Sequence, residues 1–452
     1  MIVSTGFVIP FSAQIGASTD GIWRDVQNYS KHGRKDTMIM KMRHHNKTLA
    51  AAVALAFGLA LGTPAFAAGA VNVGLSTVLT GPIAVLGIAN KNGVEMAVDD
   101  INAHGGLLGE KIKLLTADGQ TKPNVGVTNV RHFVLADQAK AIFGPVSSAV
   151  GIAEGGVAAQ YRVPIFFTTS NDVEQTGKAF SKYAFQVVPS TYMEPHAMAL
   201  YVARLFKEHH WKTLYTIAPN YAFGHSTVDE FLAGLKQDGV DAEVVGQQWP
   251  QLGASDFTQY ISAIMAKRPD FVFAAEYGGD LITFTKQAEG SGLFKKTAFL
   301  GDYWPLALEA LGASAPAGAI TDDRAPPFYI VHTPEMEQFA NAYHTKFHKW
   351  PGTWAILGYE GVQTWADGVK KAGSFDGEKV AAVLSGATVK TLRGDEKLRA
   401  CDHLAEIPVY MGTLSREVNP KYDRRVMAGV VAEPADKIML SCSAKVAMQP
   451  GH

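Results

Sequence analysis

Val71-Asn72-Val73-Gly74-Leu75-Ser76 is a short β-branched run, followed by an amphipathic helical segment at Lys91 to Asn102 and a second such run at Ile112 to Ala117. The alternation continues with a helix at Asn124 to Leu135, a strand at Ala141 to Phe143, a helix at Val150 to Gln160 and a strand at Pro164 to Phe167. Strands separated by helical crossovers of this length make a parallel sheet covered on both faces. A second series begins after Tyr183 to Val188, with strands at Thr213 to Ala218, Glu243 to Trp249, Phe271 to Ala275 and Thr297 to Leu300. Helices are expected between them at Met193 to Glu208, Phe223 to Asp238, Phe257 to Ala266 and Asp280 to Glu289. In the second of these, Val228, Phe231, Leu232 and Leu235 fall at the spacing of one buried helical stripe. The pattern predicts an α/β chain of two doubly wound parallel-sheet lobes.

A Pro- and Ala-rich passage, Ala313 to Pro327, precedes two more helical segments, Pro334 to Lys349 and Tyr359 to Ala372, which are expected to return to the first lobe. Crossings near Pro189, Gly318 and Arg393 would then join the lobes as a multi-strand hinge. The expected division is 68–189 for the first lobe, 190–318 for the second, 319–393 for the return to the first, and 394–452 for the return to the second with the C-terminal tail.

Residues 38–67 form a complete export signal. Lys41, Arg43 and Lys47 supply a basic start, Leu49 to Leu61 an apolar run, and Ala65-Phe66-Ala67 a small-x-small cleavage site before Ala68. The apolar run is shorter than the roughly 20 residues needed to span a bilayer, so the signal reads as cleaved and the product as periplasmic. Residues 1–37 read most simply as an extension from a misplaced start, with Met38, Met40 or Met42 as the true one; a genuine cytoplasmic or membrane-facing extension is the other reading. The remaining 385 residues hold 34 Lys and Arg against 39 Asp and Glu, a balance that does not attract nucleic acid. Their length exceeds what one core usually serves, in keeping with two lobes. Cys401 and Cys442 are the only cysteines. In an oxidising compartment they are expected to pair and tie down the tail, the alternative being two free thiols.

Open α/β sheets bind ligands beyond the carboxyl ends of their strands, where helix N-termini present unpaired N–H groups. In the first series those ends carry Leu79-Thr80-Gly81-Pro82, Gly144-Pro145-Val146-Ser147-Ser148 and Thr168-Thr169-Ser170-Asn171-Asp172. Hydroxyls at a helix start suit a carboxylate, although each of Ser147, Ser148, Thr169 and Asn171 taken singly is more readily an ordinary N-cap, and the signal is the concentration of such loops at one sheet edge. In the second series the loops are Asn220-Tyr221-Ala222-Phe223-Gly224, Glu276-Tyr277-Gly278-Gly279-Asp280 and Gly301-Asp302-Tyr303-Trp304. Their aromatics suit the wall of a small-molecule pocket, and Asp302 or Glu276 suits a ligand ammonium. Packing of Tyr221 and Tyr277 between the lobes is the plainer reading.

With these loops, Asp100-Ile101-Asn102-Ala103-His104-Gly105-Gly106-Leu107-Leu108-Gly109 and Leu357-Gly358-Tyr359-Glu360-Gly361-Val362, the chain from Ala70 to about Arg416 resembles a known family. It is the periplasmic solute-binding receptors of ABC importers, branched-chain amino-acid group, with the type I periplasmic-binding fold. The resemblance implies that Ser147 or Ser148, with Thr169 and Asn171, holds the ligand carboxylate and amine, and that Phe223 and Tyr277 supply aromatic contacts. Relatives that bind amino acids place an acid after the strand that here ends at Leu300. In this chain Tyr303 aligns there, with Asp302 one position early.

The sequence has no G-x-S-x-G elbow, G-x-G-x-x-G turn or G-x-x-x-x-G-K-[ST] loop. His344 and His348 have zinc-ligand spacing, but Thr345 stands where a metalloprotease needs Glu. His209-His210-Trp211 suits a helix end. No cofactor or metal is expected, and the chain does not read as an enzyme. The expectation is a monomeric receptor that closes on one small amino acid, organic acid or amide and presents it to an inner-membrane permease. A sensor of the same fold, or a receptor for aromatic acids, is the alternative.

Overall fold

The alternating Val71, Val73 and Leu75 open the first strand of a computed structural model that describes residues 70–81 and 83–451. The extension at 1–37 and the signal at 38–67 lie outside the described residues. The first lobe is built from β1 (Ala70–Thr77), α1 (Ala84–Ala103), β2 (Lys111–Asp118), α2 (Pro123–Leu135), β3 (Ile142–Phe143), α3 (Ser148–Tyr161), β4 (Ile165–Phe167) and β5 (Ala184–Gln186). All five strands are parallel, in the order β2-β1-β3-β4-β5. Phe143, Phe166 and Phe185 lie in register on adjacent strands, with ring centroids 5.6 and 5.3 Å apart. Burying each contributes up to roughly 3 kcal/mol.

Gly105 and Gly106 both take positive φ, which turns the chain from α1 toward β2 at little steric cost. Asn102 completes that turn, since its amide exchanges two 2.8 Å hydrogen bonds with the backbone of Ile112 and so extends the strand edge. The Asn-Ala-x-Gly-Gly run is thus a device for starting β2.

The second lobe follows with α4 (Met193–His209), β6 (Thr213–Ile217), α5 (Ala222–Gln237), β7 (Glu243–Gln248), α6 (Thr258–Lys267), β8 (Phe271–Ala274), α7 (Gly278–Ser291), β9 (Ala298–Gly301), α8 (Pro305–Leu311) and β10 (Ile320–Asp323). The chain then forms α9 (Pro334–Phe347), α10 (Thr353–Ala372), α11 (Gly377–Leu384), β11 (Thr388–Thr391), β12 (Gly394–Lys397), β13 (Val409–Leu414), β14 (Met427–Glu433), α12 (Ala435–Ile438) and α13 (Cys442–Met448). The second sheet runs β14-β13-β10-β9-β8-β6-β7. It is mixed, because β13 pairs antiparallel with both β10 and β14.

This topology moves two of the expected boundaries. Ile320 pairs with Leu300, so the chain leaves the second lobe after Asp323 and not near Gly318. Residues 398–405 stay beside β5 through the Gln186–Leu404 bridge, so the next crossing falls between Ala405 and Val409 and not near Arg393. The tail crosses once more. From β14 it passes along α4 as α12, then α13 docks on the first lobe, where Cys442 is joined to Cys401. Lys445 Nζ donates to Val173 O at 2.7 Å and Thr176 Oγ1 at 2.8 Å, and Gln449 donates to Cys401 O at 2.7 Å.

Glu154 on α3 is fully buried under β1, where Oε1 accepts a 2.5 Å hydrogen bond from Ser76 and Oε2 has no partner among the described residues. Burial pushes its carboxyl up to about 8. Folding therefore favours the protonated form, so its contribution is intact below the unfolded value near 4.5 and is lost as pH rises toward 8. Glu154→Gln keeps the shape without the charge. It should raise stability at pH 8.5 by on the order of 2–4 kcal/mol and change little at pH 5, as read by urea unfolding at both values. Equal destabilisation at both would show that Glu154 is held as a paired anion.

Candidate functional site

The C-terminal ends of the two sheets supply the loops singled out in the sequence. Gly144, at φ 98, takes the chain from β3 into α3, and a side chain there would collide with the Ser76 carbonyl. Ser147 is the N-cap of α3, yet its hydroxyl makes no capping bond. The half-buried Ser147 and Ser148 thus stand at a helix N-terminus whose N–H groups attract an anion. Thr169, just past β4, is buried, and its Oγ1 has no partner among the described residues.

Asn171 plays another part. Its amide donates to Pro189 O at 3.0 Å and Glu194 Oε2 at 2.8 Å, which fastens the first crossing to the start of α4. With both bonds made inside the hinge, its amide hydrogens are not free for a solute.

On the second lobe Tyr221 and Tyr277, the N-cap residues of α5 and α7, place their hydroxyls 2.7 Å apart. Phe223 meets Tyr277 edge-on at 5.5 Å, and Tyr277 lies 6.4 Å from Trp304. Trp304 in turn meets Trp354 of the first lobe at 5.2 Å, edge to face. The rims that carry Thr169 and Tyr277 thus converge on one region.

Its centre is Arg324, the residue after β10. The guanidinium lies 4.8 Å from the Trp304 ring centroid and 5.0 Å from that of Trp354, pairs through Nε with Glu194, and donates from Nη1 to Thr169 O at 3.3 Å. Around it are Asp302 and Asp322, both buried. Trp304 Nε1 donates to Asp322 at 3.2 Å, while Asp302 Oδ1 and Asp322 Oδ2 have no partner among the described residues. Burial, then the neighbouring Asp322 and Glu194, hold Asp302 well above the usual carboxylate range. Burial and Asp323 push Asp322 up to about 7, and burial pushes Glu194 up to about 7 against the pull of Arg324. Such a group cannot all be ionised at neutral pH.

The choice between Asp302 and Tyr303 follows from the two-residue period of a strand. Leu300 and Trp304 belong to the core continuous with the first lobe, whereas Phe299 and Tyr303 belong to the outer core of the second. Tyr303 is buried there, its hydroxyl 3.0 Å from Thr285. Asp302 is the residue that joins the Arg324 group.

The family model described as a periplasmic binding protein matches residues 70–418. The chain belongs to the periplasmic binding protein family. Its similarity to the Leu/Ile/Val-binding protein BraC3 of Rhizobium johnstonii is 28% identity over 326 residues, covering 70% of this chain and 83% of that protein. An amino acid ABC transporter substrate-binding protein from Pseudomonas fluorescens superposes with a TM-score of 0.75 at 22% identity, covering 84% of this chain and 99% of that one. A Rhodopseudomonas palustris ABC-transporter solute-binding protein in complex with benzoate superposes at 0.69 with 22% identity, covering 81% and 97%. The fold is thus the type I arrangement, and the family is one of solute receptors rather than enzymes.

In this periplasmic binding protein Glu194, Arg324 and Trp354 were not singled out in the sequence. Only the parity of β9 and the acid-rich Thr321-Asp322-Asp323-Arg324 run could have pointed to the cluster.

Proposed function

We propose that the protein is an extracytoplasmic receptor that closes around one small amino acid or related carboxylate or amide, releases it unaltered, and hands it as a monomer to an ABC-type permease of the inner membrane. The observation that carries this reading is that buried polar atoms without partners among the described residues come from both lobes at one place: Thr169 Oγ1 from the first, Asp302 Oδ1 and Asp322 Oδ2 from the second. A carboxylate would take the N–H groups at the start of α3 together with the Ser147, Ser148 and Thr169 hydroxyls. Phe223 and Tyr277 would pack on the solute from the other side, and Asp302 would face its donor end. Closure then rests on the solute's differential affinity for the closed form. The signal at 38–67 supports export.

The ring group of Tyr221, Phe223 and Tyr277 favours a second reading, an aromatic-acid receptor, and one structural neighbour is a benzoate complex. Mass spectrometry of whatever co-purifies, followed by thermal-shift screening with leucine, valine, amides and benzoate, separates the two. Thr169→Val should weaken the solute so found by 10-fold or more, about 1.4 kcal/mol, with little change in the melting midpoint of the free protein. Unchanged affinity would remove the first-lobe anchor from this account, and chemical conversion of the captured compound would replace the receptor with an enzyme.

A further inference from the structure

The face of the second lobe opposite the cleft carries a cavity of its own. The parallel strands β8 and β9 begin on that face, at Phe271 and Ala298, and their far ends lead into the Tyr277 and Asp302 loops. Between the end of α6 and the 3₁₀ turn Leu293–Lys295 after α7, a space of about 440 Å³ opens to solvent, a size that suits a small molecule. Its floor is Ile264 and Leu293, both fully buried, and the half-buried Met265 gives it an adaptable thioether wall. The exposed Arg268 and Lys296 stand on its lining, each with a further exposed cation beside it in the chain, Lys267 and Lys295. None of the four makes an ion pair among the described residues. Asp270, the acid next along the chain from Arg268, is engaged elsewhere, its Oδ2 accepting from the Lys212 and Thr213 N–H groups and the Thr213 hydroxyl at 2.8 to 2.9 Å. Arg268 alone has an ordinary explanation, since a basic residue at a helix C-terminus offsets the dipole, and Arg162 and His348 end α3 and α9 in the same left-handed conformation. The dipole of α6 does not require Lys296, which a separate turn brings to the same opening over an apolar floor.

We propose that this cavity is a second binding site, for a small amphiphilic anion whose carboxylate lies between Arg268 and Lys296 and whose apolar tail covers Ile264, Met265 and Leu293. The arginine offers a carboxylate a planar fork and the lysine a mobile point charge. The Thr297 hydroxyl, whose bond to Ala298 O is 3.3 Å long, is a third donor on the lining. A compact hydrated anion would leave the apolar floor uncovered, and a cationic amphiphile would meet charge of its own sign. Every lining residue belongs to the second lobe, so a hinge motion leaves the shape of this site unchanged. The site is therefore filled independently of the solute cleft, and it stands or falls apart from the receptor reading.

The test titrates decanoate, acetate and decyltrimethylammonium into the exported chain labelled at its methionine methyl groups, and reads the Met265 signal, assigned through Met265→Leu, by NMR. Reading at Met265 separates this site from any binding in the cleft. Decanoate should shift that signal with a Kd of about 0.1 mM or tighter, at least roughly 100-fold below that of acetate, because each buried methylene adds to the affinity. The cationic amphiphile should bind at least 10-fold more weakly than decanoate. Arg268→Gln combined with Lys296→Gln should weaken decanoate 10-fold or more, whereas Lys113→Gln combined with Lys140→Gln, exposed cations of the first lobe, should leave it unchanged. All four positions are on the surface, and melting midpoints report whether each variant is folded. A Met265 signal that stays still up to about 1 mM decanoate overturns the inference. So does acetate or the cationic amphiphile binding there as tightly as decanoate, or an affinity that the Arg268 and Lys296 changes do not move.

Discussion

Arg324→Met should cost on the order of 3–5 kcal/mol of folding stability at pH 8, more than any other single change in the cleft. The guanidinium is almost wholly buried, and its charge favours the ionised form of Glu194, Asp302 and Asp322 alike. Methionine fills much of the volume between Trp304 and Trp354 but leaves those carboxylates without their partner, and an unpaired buried charge is far more expensive than a lost surface ion pair. The loss should depend on pH with a definite sign. Burial already raises Glu194 and Asp322 to about 7, and removing the cation raises them further. At pH 5.5 they are then protonated with or without Arg324, so the variant should recover at least half of the deficit there. Urea unfolding of both proteins at pH 5.5 and pH 8 makes the comparison. A loss under 1 kcal/mol at pH 8, or one that does not shrink in acid, would mean that the cluster is solvated and that Arg324 does not organise it.

Gly93→Ala should be nearly as damaging for a different reason. Gly93 lies inside α1, where alanine normally favours the helix by up to about 1 kcal/mol. Its missing side chain lets the backbone of α1 approach that of α10, however, and an added carbon would overlap the Ala355 carbonyl. The fit is reciprocal, because a side chain at Gly358 would meet the Asn90 carbonyl. Buried Asn90 bonds across the junction, donating to Trp354 O at 3.1 Å and accepting from Thr168 Oγ1 at 3.1 Å. Prising the helices apart should cost about 2–4 kcal/mol, more than the propensity gain. It should also loosen solute binding, since Trp354 at the head of α10 is one wall of the Arg324 site. Gly156 on α3 is the control. It is exposed, with nothing within 4 Å of an added carbon, so Gly156→Ala should raise stability by roughly 0.5–1 kcal/mol. Thermal midpoints of the pair decide the matter, and equal shifts would refute the close crossing.

The two contrasts show where a linear reading works. The β-α rhythm of the first ten elements is legible because most of their strands are short, nearly continuously buried apolar runs between helices that bury one stripe, and β1, α2 and β6 fall within a residue or two of their expected limits. The strand Ile320–Asp323 is not legible, since two of its four residues are acids whose burial makes sense only beside Trp304, Thr353 and Arg324. The same holds at the site. The hydroxyl and aromatic loops announce themselves at strand ends, but the Glu194–Arg324 pair joins residues 130 positions apart. Asn171 illustrates the converse, a polar residue in the right loop whose amide the hinge consumes.

The last crossing has a practical corollary for anyone who would watch this molecule move. Because α13 is covalently fastened to the lobe that also contains β1, the first and last described segments ride on the same rigid body. Fluorophores attached at the two extremities would keep a constant separation through a full opening stroke. An optical reporter of the motion needs one label at an interior position of the second lobe, such as the exposed tip around Gly253.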